Sequence, residues 1–136
     1  MPNFDARSFL ITLLFAGTVC GMVFCSLRRG FPKAIEGIGD WAWACLAVVL
    51  GTALITAREM LVPSLGVVLP NILVSGGVML MLTGLRKFSG VAPQYRSGAA
   101  VMLVYSMMLW WIVASDQQFR LRLVFVTGFN ASLFLW

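Results

Sequence analysis

Charged residues in this chain of 136 amino acids come in short clusters separated by long uncharged stretches, and that spacing admits few folds. The uncharged runs are residues 8–27, 41–57, 60–85, 97–115 and 123–136, of 20, 17, 26, 19 and 14 residues. A helix rising about 1.5 Å per residue needs about 20 apolar residues to cross about 30 Å of hydrocarbon. Four runs satisfy that demand, and the fifth stops short where the chain ends. The expectation is an all-α fold: a polytopic transmembrane helical bundle in one membrane-embedded domain. Its spans are predicted near residues 8–27, 41–58, 64–85, 97–115 and 120–136, the last truncated.

Composition agrees. The chain is 60% hydrophobic and 11% charged, against about 25% charged in a soluble domain. A small soluble fold leaves much of its area exposed and has no room to hide so much apolar surface. The net charge of +5 lies in loops and helix ends, where basic residues set topology or meet anionic head groups. The bilayer, not nucleic acid, is therefore the expected partner. The first run is a retained helix rather than a cleaved leader. Its positive cluster, Arg28, Arg29 and Lys33, follows the apolar stretch, the reverse of a signal peptide's order.

Little here supports chemistry. There is no histidine, which removes the commonest general base and metal ligand. Cys20, Cys25 and Cys45 fall inside predicted spans without further ligands at metal spacing, so they read as packing. No phosphate-binding loop, HExxH or CxxC is present. The five acidic residues, Asp5, Glu36, Asp40, Glu59 and Asp116, all sit at boundaries or in loops. Intramembrane charge marks ion and proton pathways, and its absence argues against a pump. No enzymatic activity, cofactor or metal is expected.

Within the spans, Gly17, Gly21 and Cys25 form a small-residue row at four-residue spacing, a GxxxG face for helix–helix contact. Trp41, Trp43, Trp110 and Trp111 read as head-group anchors. Pro70 removes a backbone donor from the third span, and Asn71 beside it is its strongest polar group. Asn71 either lines a pocket or satisfies backbone freed by Pro70, the second being the commoner arrangement. Arg58, with Glu59, is either an outer-face ligand site or a snorkelling boundary pair, again with the second favoured. Ser75, Tyr105 and Ser106 are milder polar candidates. Loop charge sets the orientation. Arg28, Arg29, Lys33, Arg86, Lys87 and Arg96 lie on one side; Arg7, Arg58, Arg120 and Arg122 lie on the other. The denser set faces the cytoplasm, which puts the N-terminus outside and, after five spans, the C-terminus inside.

The order of several short stretches is also familiar. Leu27-Arg28-Arg29-Gly30-Phe31-Pro32 is followed by Gly39-Asp40-Trp41-Ala42-Trp43-Ala44, then Ala57-Arg58-Glu59 and Leu61-Val62-Pro63. Val68-Leu69-Pro70-Asn71-Ile72-Leu73, Thr83-Gly84-Leu85-Arg86-Lys87-Phe88-Ser89-Gly90 and Leu121-Arg122-Leu123-Val124 complete the series. Together they resemble the membrane portion of bacterial GGDEF-domain proteins, the diguanylate cyclases. The resemblance implies a sensory and anchoring module of the bacterial inner membrane, dimerising through its helices and responding to a small molecule or a membrane state. The GGDEF sequence itself is absent, so no catalytic residue carries over. The alternative is a self-contained small membrane protein, a transporter or channel subunit, in which Asn71, Tyr105 and Ser106 would face one water-filled cavity.

Overall fold

The computed structural model describes residues 6–30, 36–115 and 119–133. The N-terminal head with Asp5, the loop residue Lys33, the polar turn of Asp116, Gln117 and Gln118, and the last residues of the predicted fifth span lie outside them. Among the described residues the fold is all-helical. Its helices are α1 (Ala6–Gly30), α2 (Ile38–Thr56), α3 (Pro63–Phe88), α4 (Tyr95–Ala114) and α5 (Phe119–Leu133). A single 3-10 turn, Arg58–Met60, joins α2 to α3. Four helices are long and apolar enough to cross a membrane. The 15 residues of α5 rise only about 22 Å.

Helix ends differ from the apolar runs in a consistent way. α1 continues through Arg28 and Arg29, α2 already contains Asp40, and α3 continues through Arg86 and Lys87. Hydrocarbon limits how long the apolar stretch must be, whereas the hydrogen-bond ladder can run on past the first charged residue. Gly37 just before α2 and Gly90 just after α3 have φ of 94° and 74°, left-handed backbone that costs glycine nothing. At the other end α2 stops at Thr56, two residues before the predicted boundary, because Arg58 belongs to the 3-10 turn. α3 runs unbroken through Pro70.

The helices are arranged as a chain of neighbours. α1 packs on α2, α2 on α3, α3 on α4, and α5 rests against α3 and α4. The α2–α3 seam is the most extensive. Along α3 it is built on Pro70, Gly77 and Gly84, spaced seven residues apart, the repeat that keeps one stripe facing a partner helix. Gly77 lies against the Ala44 carbonyl and Val48, and Gly84 lies under the Trp41 indole. From the α2 side Gly51 fits over the Pro70 carbonyl and Val74. Buried Ala44, Cys45, Thr52, Ser75 and Met79 fill the seam and its flanks. A second, smaller core forms where Val68, Tyr105 and Leu109 meet Phe125 and Phe129 of α5.

Candidate functional site

Polar chemistry in this fold concentrates where the α2 N-terminus, the α3 C-terminus and the α4 N-terminus meet. Asp40 lies in the first turn of α2 and Lys87 in the last turn of α3, each charge favourably placed against its helix dipole. The Lys87 Nζ is 2.7 Å from Asp40 Oδ2. The Tyr95 hydroxyl at the start of α4 donates to Asp40 Oδ1 at 3.0 Å. The same ammonium stands 4.9 Å from the centre of the Tyr95 ring, a cation–π contact. One carboxylate thus ties three helices together.

Trp41 brings in α1. Its indole Nε1 donates to the Met81 carbonyl at 3.1 Å. Its ring lies between Phe24 of α1 and Phe88 of α3, with centroids 5.6 Å and 5.8 Å away. Trp41 thus faces Phe24 and Phe88 as well as the Met81 carbonyl, while Trp43, Trp110 and Trp111 are exposed. The slot for the indole is left by Gly84, where a Cβ would stand 2.6 Å from the ring, and Gly37 packs on the Gly84 backbone.

The residues singled out from the sequence do not converge. Gly17 and Gly21 face α2 of the same chain: a Cβ on Gly17 would stand 2.8 Å from Val49 Cγ2, and one on Gly21 3.5 Å from Cys45 Cβ. Cys25 continues the row but is exposed, lining a groove between α1 and α2. Arg58 is exposed on the 3-10 turn, its carbonyl packed over Gly66. Asn71 donates to the Val67 carbonyl of its own helix at 2.6 Å. The carbonyl that Pro70 leaves without its usual donor is that of Gly66, so Asn71 serves the adjacent one. Ser106 likewise donates to the Met102 carbonyl at 2.7 Å. Tyr105 is buried, stacked 3.9 Å from the Phe129 ring centre and accepting a 3.3 Å hydrogen bond from Ser75. Asn71, Tyr105 and Ser106 are therefore each satisfied by separate neighbours.

The groove between α1 and α2 is about 350 Å³ and almost wholly apolar, with Arg28 at one end. A second, of about 320 Å³, opens beside Tyr105, Phe125 and Phe129. Among the described residues no cluster of side chains has the composition of a metal site. No family model matches the chain, and no curated protein or solved structure matches it. The likeness to diguanylate cyclase membrane regions rests on the sequence stretches alone.

Proposed function

We propose that the chain is a membrane-embedded sensory and anchoring module of a bacterial signalling protein, resembling the input region of a diguanylate cyclase and not itself catalytic. The observation that carries this reading is that Asn71, Ser75, Tyr105 and Ser106 bond to separate neighbours and do not face one shared cavity. Asn71, Ser106 and Thr83 donate to carbonyls of their own helices, and Ser75 donates to Tyr105. A transport path needs polar groups aimed into a shared aqueous space. An anchor that responds to helix packing does not.

The proposed setting is the inner membrane, with the N-terminus outside and the C-terminus in the cytoplasm. The junction of Asp40, Lys87 and Tyr95 then lies at the cytoplasmic face, beside any attached output domain. Self-association through the membrane helices has to use a face other than Gly17 and Gly21, because α2 occupies that row. A signal that shifts helix packing shifts the population of paired outputs.

The test is to fuse the chain ahead of a soluble diguanylate cyclase domain and measure cyclic di-GMP in a host lacking other cyclases. The expected result is synthesis in the membrane fraction that changes when membrane fluidity is altered. Equal synthesis and equal response from an unrelated single-helix anchor would overturn the sensory reading. Ion or solute flux in proteoliposomes of the unfused chain would favour the transporter alternative instead.

A further inference from the structure

The groove between α1 and α2 has two features that its helix packing does not account for, its length and its charged end. Its deep end is at Gly17, where α1 approaches Val49 of α2 most tightly, and its other end is at Arg28. Eleven residues separate the two, about 16 Å of helix. Half of a hydrocarbon core about 30 Å thick is about 15 Å. The groove therefore has the depth of one leaflet, which matches the length of an acyl chain. Met22 and Leu46 wall it, and the exposed Trp43 indole flanks its mouth.

Among the described residues no ion pair neutralises the charge at the mouth. The Arg28 guanidinium lies on the backbone of α2's first turn, its Cζ 3.5 Å from where a Cβ on Gly39 would be. That turn is the positive end of the α2 dipole. The nearby carboxylate, Asp40, is engaged by Lys87 and Tyr95. Among the described residues no carboxylate forms an ion pair with Arg28, and Arg29 adds a further positive charge next to it. An anion at this point would complete the electrostatics.

We infer that the groove between α1 and α2 binds one anionic phospholipid, an acyl chain running from Trp43 towards Gly17 and the phosphate resting on Arg28. The inference requires only that α1 and α2 lie in a membrane, and it stands apart from the signalling reading.

Native mass spectrometry of the full chain, delipidated in mild detergent and then titrated with phosphatidylglycerol or phosphatidylcholine, tests it. Phosphatidylglycerol is expected to be retained preferentially. Arg28→Gln should lower that preference about fivefold, the effect of removing one basic residue near an anionic surface, and Arg28→Lys should restore most of it. Cys25→Phe, on an exposed position that lines the groove, should reduce retention of both lipids. Arg96→Gln, elsewhere on the same side of the bundle, should change neither, and far-ultraviolet circular dichroism confirms that each variant keeps its helices. Equal retention of the two lipids by the unmodified chain would overturn the proposal, as would an equal loss of preference in Arg96→Gln. Release of bound lipid by millimolar inorganic phosphate would also overturn it, since the site would then recognise phosphate without the chain. A dimer that dissociates on Arg28→Gln would assign the groove to a second copy.

Discussion

Substituting alanine for glycine separates the tight seam of this bundle from its open faces, and the sign of the effect differs between them. In a helix interior glycine costs about 0.5–1 kcal/mol relative to alanine, so the change is stabilising wherever the methyl group fits. Around Gly128 of α5 an added Cβ meets no described atom within 4 Å, and Gly128→Ala should gain about 0.5–1 kcal/mol. At Gly21 the new Cβ would be 3.5 Å from Cys45 Cβ, ordinary contact, and most of that gain should survive. At Gly77 it would be 2.7 Å from Val48 Cγ2 and 3.0 Å from the Ala44 carbonyl oxygen, which belongs to rigid helix backbone. Overpacking of that kind costs about 1–3 kcal/mol, so Gly77→Ala should be destabilising by about 0.5–2 kcal/mol net. Gly84→Ala should cost more, since the methyl would be 2.6 Å from the Trp41 indole and would displace its hydrogen bond to Met81, worth about another 1 kcal/mol. Equilibrium unfolding in mixed micelles with increasing dodecyl sulfate, followed by circular dichroism, reads the series. If Gly77→Ala and Gly21→Ala move the midpoint in the same direction, the two helices are not in backbone contact at Gly77 and the reasoning is wrong.

Three further outcomes follow from the junction, the small core and the Pro70 turn of α3. Asp40→Asn should lose about 2 kcal/mol and Tyr95→Phe about 1 kcal/mol, the ion pair with Lys87 contributing least because both side chains are partly exposed; additive losses in the double variant would contradict a shared carboxylate. Tyr105→Ala should cost about 3–5 kcal/mol by emptying the stack on Phe129, whereas Tyr105→Phe gives up only a 3.3 Å hydrogen bond and should cost under about 1 kcal/mol; near-ultraviolet circular dichroism should fade in the first and persist in the second. Asn71→Leu should leave the unfolding midpoint within about 1 kcal/mol, since its amide serves a carbonyl on its own helix; a loss above about 2 kcal/mol would point to a role in interhelical packing.

The spans were legible because the solvent imposes them. A run such as residues 8–27 has to be apolar along its whole length, and no tertiary detail alters that requirement. The Gly17–Gly21 row was legible for a similar reason, as a four-residue spacing is a local pattern. The α2–α3 seam was harder to see because Pro70, Gly77 and Gly84 repeat every seven residues, and Gly76 beside Gly77 obscures the repeat. The junction was harder still. Tyr95 and Asp40 are 55 residues apart, and each residue taken singly looks like an ordinary boundary group. One signal was available: alternation of spans brings the start of the second and the end of the third to the same side. Asp40 and Lys87 are opposite charges at those two positions.

That junction also determines how movement can travel through the bundle. Among the described residues the α1 backbone packs against α2 and the α4 backbone against α3 and α5, while the Tyr95 side chain of α4 reaches Asp40 of α2. Displacement of α1 therefore reaches α4 through the α2–α3 pair. Along most of its length that pair is locked by Gly51, Gly77 and Gly84, where the backbones have no slack. At the Arg-rich end the coupling passes instead through side chains: Phe24 on Trp41, then Asp40 to Lys87 and Tyr95. Rings and ion pairs that are partly exposed rearrange at a cost of about 1 kcal/mol each, far less than moving two packed helices. Any input that tilts α1, a lipid beside Arg28 included, is thus felt first at the start of α4. On the proposed orientation that end faces the cytoplasm, where the signalling reading places any output domain.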